Sequence, residues 1–395
     1  MTKASKEGQR KAPILRFKGF TDAWEQRQLK EVADIVGGGT PSTDFSEYWN
    51  GNINWFTPNE INSQIYFSES KRKISNLGLK KSSAKLLPAN RSILFTSRAT
   101  IGEMGILTQD ATTNQGFQSL VLHNEVIPYF IFSMKSALKR QAIKKASGST
   151  FLEISKREVE KLKIIIPSEK EQKKVSMLFK SIDNLITLYE RKLKLLSQVK
   201  KYFLDNLFAE KEYPNLRFKG FTDAWEQREL LKVCKKEDNK RIPIKEQERK
   251  EGNTPYFGAN GIQGYIDGYT HDGTNILIAE DGANNVRNYP IKLITGKIWV
   301  NNHAHVLKVN TKINNGNFLV GVIKKINFYR YLVGSSRYKL TAESLNQVKI
   351  KIAKQSEQEK IGELLKNIEE LLTLYENKQQ HFTEIKKTLL NTMFI

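Results

Sequence analysis

Apolar residues recur at every seventh position through two long stretches, 169–208 and 355–394, which contain no proline and, apart from Gly362, no glycine. In the first stretch the row is Val175, Ile182, Tyr189, Leu196 and Phe203. In the second it is Ile361, Ile368, Tyr375, Phe382 and Leu389. A second row lies three residues on, at Leu178, Leu185 and Val199 and at Leu364, Leu371 and Ile385. Lys192 and Lys378 interrupt it at equivalent places. Two such rows predict a coiled-coil seam on an unbroken helix, with Pro167 marking the start of the first. About 40 residues at ~1.5 Å each gives roughly 60 Å, longer than a helix packed on an ordinary globular core. If the second helix returns along the first, the pair is antiparallel.

The stretches ahead of each helix have a different texture. Short apolar runs bounded by Gly, Asn and Asp predict strands at 92–96, 119–122, 275–279 and 297–300, while 128–145 and 317–332 have helical spacing. The fold class is therefore α+β, with two globular domains joined by two long antiparallel coiled-coil helices.

The arrangement is written twice. Thirteen residues from Leu15 to Arg27 recur identically from Leu216 to Arg228, an offset of 201. Further on, Ile166, Glu171, Gln172, Leu188, Tyr189, Glu190, Lys192 and Phe208 match Ile352, Glu357, Gln358, Leu374, Tyr375, Glu376, Lys378 and Phe394 at an offset of 186, so the first copy is 15 residues longer. Chance does not produce a thirteen-residue identity, and the repeat is a pseudo-two-fold one. Between the matched ends, from about 33 to 147 and from about 234 to 333, the likeness vanishes. Matched ends around unmatched middles suggest one scaffold carrying two different readers. The boundaries that follow are an N-terminal extension over 1–14, a first domain over 15–166 and its helix over 167–208. A second domain covers 209–352 and its helix 353–395.

Composition narrows the function. The 39% hydrophobic and 10% aromatic content supports real cores. The formal net charge of +22, from 64 Lys+Arg against 42 Asp+Glu, suits a polyanionic partner, and nucleic acid is favoured over an acidic membrane face. Cys234 is the sole cysteine, which rules out disulfides and a thiolate metal cage. The basic start of the chain leads into no apolar segment of signal or membrane-spanning type, so the expected location is cytoplasmic.

The sequence lacks several contiguous catalytic motifs, although a nuclease carboxylate cluster need not be contiguous. There is no G-x-x-x-x-G-K-[ST] phosphate loop, and no two prolines are adjacent, which removes the Asp/Asn-Pro-Pro-aromatic motif of adenine methyltransferases. Gly37, Gly38 and Gly39 read as a flexible turn. His303 and His305 could share a strand face and hold a metal, but with Asn301 and Asn302 beside them and no Cys or clear carboxylate partner a structural or DNA-contacting role is preferred over a metal site. Neither Cys234 nor any serine sits in a recognisable nucleophile setting.

The repeated Leu-Arg-Phe-Lys-Gly-Phe-Thr-Asp-Ala-Trp-Glu-Gln-Arg resembles the segment that opens each recognition domain of type I restriction-modification specificity subunits. Gly37 to Ser42, Tyr48 to Ile53 with Trp55, Ser97 to Gly102 and Asn114 to Phe117 continue the likeness. In the second copy Tyr256 to Gly261, Ile278 to Gly282 and Asn301 to His305 are similar to another common version. The resemblance implies two target recognition domains, each reading one half of a split, asymmetric double-stranded DNA sequence. The helices would set the spacer, about one DNA turn (roughly 34 Å) or at most two, and would dock two methyltransferase subunits. S-adenosylmethionine would serve those subunits, and ATP and Mg separate restriction/translocase subunits. This chain would have no cofactor, no metal and no catalysis of its own. The competing readings are the tail of a fused methyltransferase-nuclease and a coiled-coil scaffold.

Phosphate contacts call for Arg, Lys, Ser, Thr, Asn or backbone amides, and base edges favour Arg for guanine and Asn or Gln for adenine. The DNA-binding candidates in the first domain are Thr40, Ser42, Thr57, Arg98, Thr100, Asn114, Gln115, Ser147 and Ser149. In the second they are Asn260, Asn284, Asn285, Arg287, Asn302, Ser335, Arg337, Tyr338 and Lys339. For each Asn and Thr in a turn, capping of the backbone is an equal alternative. Trp49, Trp55 and Trp299 are assigned to the core, and Trp24 and Trp225 to packing of the scaffold.

Overall fold

The computed structural model describes residues 12–148, 152–208, 212–286, 288–334 and 338–394. The chain forms two compact units. One comprises Met1–Leu188 with Gln379–Ile395, and the other Tyr189–Lys378. Each unit thus holds one globule, the beginning of the long helix that follows it, and the end of the other long helix.

The long helices run Glu169–Asn206 and Gln355–Met393. Acidic residues in their first turns, Glu169 and Glu171 in one and Glu357 in the other, suit the positive end of the helix dipole. Inside the first unit Lys386 pairs with Asp183 at 2.6 Å and the rings of Phe394 and Phe179 lie 5.7 Å apart, so the two segments run antiparallel. Inside the second unit Tyr189 meets Tyr375 at 5.8 Å and Lys200 pairs with Glu369, in the same antiparallel sense. Val175, Ile182, Ile361 and Ile368 are buried, and Tyr189, Leu196, Phe203, Tyr375, Phe382 and Leu389 half-buried. The second row is less regular. Leu371 is 40% exposed, and Lys192 and Lys378 lay their ammonium groups over the Tyr189 ring. Among the described residues no helix is long and apolar enough to cross a membrane.

The foot of each long helix carries the matched Glu-Gln pair. Glu171, 1% exposed, receives both Arg16 Nε (2.7 Å) and Nη2 (2.8 Å), and Glu357 receives Arg217 Nε and Nη2 at the same two distances. Gln172 Oε1 accepts from the Ile127 amide (3.0 Å) and Gln358 Oε1 from the Asn315 amide (3.1 Å), at the start of the next helix of each globule. The opening segments are also tied to helix ends. Leu15 N donates to Thr392 O (2.9 Å) and Leu216 N to Asn206 O (2.8 Å). Trp24 packs edge-on against Phe130 and Phe394, as Trp225 packs against Phe318 and Phe208. Each repeated segment therefore closes against the end of the other copy's helix.

The strands of the first globule are β1 (Glu25–Gln28), β2 (Ala33–Gly37), β3 (Trp49–Phe56), β4 (Tyr66–Phe67), β5 (Arg72–Ile74), β6 (Ser92–Phe95), β7 (Met104–Leu107), β8 (Ala111–Thr113), β9 (Gln118–Leu122) and β10 (Lys163–Ile166). Those of the second are β11 (Glu226–Glu229), β12 (Cys234–Lys236), β13 (Thr254–Gly258), β14 (Gly261–Ile266), β15 (Thr274–Ala279), β16 (Ile291–Thr295), β17 (Trp299–Val300), β18 (Ala304–Val309), β19 (Leu332–Val333), β20 (Lys339–Leu340) and β21 (Lys349–Ile352). The first main sheet has the order β2-β9-β6-β7-β4 and the second β12-β18-β15-β16. The small sheets are β5-β3-β8 and β14-β13-β17, with β3 parallel to β8 and β13 parallel to β17. Without the extra strand β4, the two middles have one topology, although their sequences show no likeness.

The reason lies in alternation along the central strand. Ile93 and Phe95 of β6 enter the large core with Trp24 and Phe130, while Leu94 points to a small core around Phe56. In β15, Ile276 and Ile278 join Trp225 and Phe318, and Leu277 points to Phe257. A strand buried on both faces needs only apolar residues at each position, so many sequences meet the requirement. The helical stretch expected over 317–332 is a helix at Gly316–Lys324 followed by a 3-10 turn at Phe328–Tyr331.

Arg16→Ala strands the buried Glu171 carboxylate without its partner and should destabilise the first unit by about 3–5 kcal/mol. Arg217→Ala should do the same to the second. Urea unfolding midpoints test both, and a cost under ~1 kcal/mol at either would contradict the equivalence of the two pairs.

Candidate nucleic-acid interface

The shared topology sets up a residue-by-residue correspondence between connecting loops. Asn114 N donates to Phe56 O at 3.0 Å, and Asn301 N to Phe257 O at 3.0 Å, so the β8–β9 and β17–β18 connections correspond, with Gln115 opposite Asn302. Ile154 N donates to Ser97 O (2.9 Å) and Leu340 N to Glu280 O (2.6 Å). Thus Ser97 corresponds to Glu280, Arg98 to Asp281 and Glu153 to Lys339. Isolated bridges Arg98–Glu153 and Asp281–Lys339 fit the same register. The candidate contacts of both domains fall mainly in these corresponding connections.

In the first domain the loops touch. Thr40 Oγ1 meets Gln115 Oε1 at 2.5 Å, Ser97 N donates to Gly116 O at 2.8 Å, and Ser147 pairs with Glu153 through both backbone groups. Arg98 is half-buried, and its guanidinium has no partner among the described residues; Thr100 and Ser147 are exposed. Other candidates are occupied locally. Thr57 Oγ1 is bonded to Glu60 Oε2 (2.8 Å) in a capping box, Asn114 Oδ1 accepts from Gly116 N (2.8 Å), and Ser42 Oγ meets Asp44 Oδ2 (3.0 Å). For Thr57 and Asn114 the capping role is the one observed. Ser149 lies outside the described residues, as do Arg287, Ser335 and Arg337.

The glycine run is a packing requirement and not a loose turn. A Cβ on Gly38 would lie 1.9 Å from Asn114 O, and one on Gly39 2.3 Å from Ser83 Oγ. The backbone after β2 passes too close to these neighbours for a side chain.

In the second domain Asn260 staples two loops, donating to Gly282 O (2.9 Å) and accepting from Asn284 N (3.0 Å). Asn285 Oδ1 accepts from Asn288 N (2.9 Å). Asn284 and Asn302 present exposed amides, Tyr338 packs against Tyr329, and Lys339 pairs with Glu280 at 3.0 Å. Of the tryptophans, Trp24, Trp49, Trp55 and Trp225 are buried. Trp299 is only half-buried, because its indole N–H reaches Ile242 O (2.7 Å) at the domain surface.

The histidines have carboxylate partners that sequence distance concealed. His303 Nδ1 lies 2.5 Å from Asp281 Oδ1, and buried His305 places Nδ1 2.6 Å from Asp238 Oδ2 and Nε2 2.7 Å from Leu340 O. Both ring nitrogens of His305 thus lie within hydrogen-bond distance of oxygen atoms. Asp238, Glu280 and His305 converge closely enough to hold a metal ion. Positive groups already fill that role: Arg241 reaches Glu280 at 2.6 Å and Asp238 at 3.7 Å, and Lys339 meets the other oxygen of Glu280. Burial pushes the Asp238 and Glu280 carboxyls up. Bonds from His305 and the Val306 amide to Asp238, and from Arg241 and Lys339 to Glu280, outweigh this and hold both below their ordinary values. Cys234 is buried and its thiol is pushed up to about 12, which keeps it unreactive.

The described residues thus form a duplicated scaffold that bears two differently furnished loop clusters. The family model for the type I restriction modification DNA specificity domain matches residues 21–198 and again 222–384, and the chain belongs to this family. It is 31% identical over 235 residues to the type I restriction enzyme MjaIX specificity subunit of Methanocaldococcus jannaschii, across 56% of this chain and 54% of that one. The chain thus spans about half the length of that relative. It is 28% identical over 340 residues to the EcoprrI specificity subunit of Escherichia coli, across 82% of each chain. A solved type I restriction-modification S subunit from M. genitalium has the same fold, with a TM-score of 0.68 at 15% identity, covering 97% of this chain and 99% of that one.

Because the folded Asp238 and Glu280 values lie below the unfolded ones, near 4, their contribution is complete above that range. It is lost as pH falls through the lower folded values. Asp238→Asn should lower the melting temperature near neutral pH and make its decline between about pH 5 and 3 shallower than in the unaltered protein. Parallel curves for the two proteins would show that the cluster does not carry this dependence.

Proposed function

We propose that this chain is the sequence-reading subunit of a type I restriction-modification complex. Each domain reads one half of a bipartite, asymmetric double-stranded DNA target. The observation that carries this reading is the pair of corresponding loop clusters, alike in backbone and different in side chains. A merely structural duplication would not leave the loops diverged while the clasp residues stayed identical. The +22 charge supports a polyanionic partner, which a plain coiled-coil scaffold would not need.

The loops hold recognition chemistry: an arginine without a partner among the described residues, exposed amides and hydroxyls. The chain acts without catalysis of its own, and S-adenosylmethionine, ATP and Mg belong to partner subunits in the cytoplasm. Two methyltransferase subunits dock on the long helices, whose 38 and 39 residues set the spacer between half-sites. Restriction/translocase subunits join that assembly.

Co-expression with methyltransferase partners in a methylation-free host, followed by mapping of modified adenines, tests this directly. A split motif with two unlike halves is expected, and exchange of residues 33–147 for another reader should alter one half alone. Alteration of both halves, or methylation by the purified chain with S-adenosylmethionine alone, would overturn the proposal.

A further inference from the structure

The loop correspondence pairs two residues of opposite charge. After the central strand, the first domain has Arg98 where the second has Asp281, and the bridged partner changes from Glu153 to Lys339. A site that only anchors phosphate would be basic in both domains, since a carboxylate repels the backbone of DNA. A site that reads a base changes with the base.

Arg98 is also held as a reading residue must be. Ala99 adopts φ 62, the left-handed region that a residue with a Cβ rarely enters. The surrounding turn compels it. Thr96 Oγ1 donates to Thr100 O at 2.5 Å, Gly102 N to Thr96 O at 2.9 Å, and Glu103 N to Thr96 Oγ1 at 2.9 Å. Gly102 has φ 79 and sits so close to Lys139 that a Cβ would lie 2.8 Å from its Cα. On the other side, Ser97 is bonded through N to Gly116 and through O to Ile154. The backbone of Arg98 is thus fixed from both directions. Its side chain borders an open hollow of about 760 Å³ with Thr100 and the apolar Ile101, Ile143 and Leu152. Lys139, the other cation there, pairs with Glu103 at 2.5 Å, a carboxylate it shares with Lys135, whereas the Arg98 guanidinium has no acceptor among the described residues.

We infer that Arg98 reads a guanine in the half-site of the first domain, donating to its O6 and N7 in the major groove. The same position of the second domain, carrying Asp281 beside His303, reads a different base. This rests on the proposed function above, and the experiment separates the two.

The chain is co-expressed with its methyltransferase partners, and modified adenines are mapped for the unaltered protein, Arg98→Gln and Arg98→Lys. The unaltered protein should modify a split motif containing guanine. Arg98→Gln should relax one guanine in one half, with a loss of roughly 5- to 150-fold in methylation rate at the original site, the other half and the spacer unchanged. Arg98→Lys keeps the stem and charge but loses the two-pronged donor, so it should relax the same position. No split motif for the unaltered protein would sink the underlying function. Given such a motif, full guanine discrimination in either variant, or changes in both halves, would overturn the role of Arg98. Should Arg98→Gln give no methylation at all, the Arg98→Lys motif decides alone.

Discussion

The structure depends on one buried junction, made twice, at the foot of each long helix. There a glutamate receives both nitrogens of an arginine from the repeated opening segment, while the adjoining glutamine holds the first amide of a helix in the globule. A buried carboxylate is tolerated only with its charge and lone pairs satisfied, so the junction admits little variation. Opening segment, globule and long helix all meet at these two side chains. The copies differ in detail: Trp225 adds its indole N–H to Glu357 at 3.2 Å and Arg217 Nη2 also donates to Asp223 O, whereas the Trp24 nitrogen finds no partner among the described residues.

Around that junction the globules vary on different terms. Their central strands alternate between a large and a small core, a demand met by Ser-Ile-Leu-Phe in one and Asn-Ile-Leu-Ile in the other. Loops carry no such demand unless the backbone passes close to a neighbour, as at Gly38 and Gly39. Loop side chains outside such local bonds can therefore change at little cost to the fold, and a reversed charge at Arg98 and Asp281 is compatible with one topology.

Much of the architecture was legible beforehand. The heptad rows, the repeat and the short strands are local or periodic signals, and they translate directly into backbone geometry. The site was less legible. Thr57, Asn114 and Asn260 carry groups that suit bases, and the same chemistry bonds them within their own domain, to Glu60 Oε2, Gly116 N and Gly282 O. The carboxylates beside His303 and His305 come from strands and turns tens of residues away, so spacing in sequence could not find them. Gly37, Gly38 and Gly39 read as a flexible turn in sequence because nothing local shows that Asn114 and Ser83 press on Gly38 and Gly39.

By itself the sequence determined what depends on periodicity and identity: two long helices, two globules rich in short strands, a duplicated clasp, and a basic chain without catalytic motifs. Tertiary structure alone decided that the unlike middles share one strand order, and that each opening segment seals against the far end of the other copy's helix. It also decided that Arg98 stands where Asp281 stands in the second globule. Those facts arise from contacts between residues far apart in the chain, and such contacts leave no period or spacing to read.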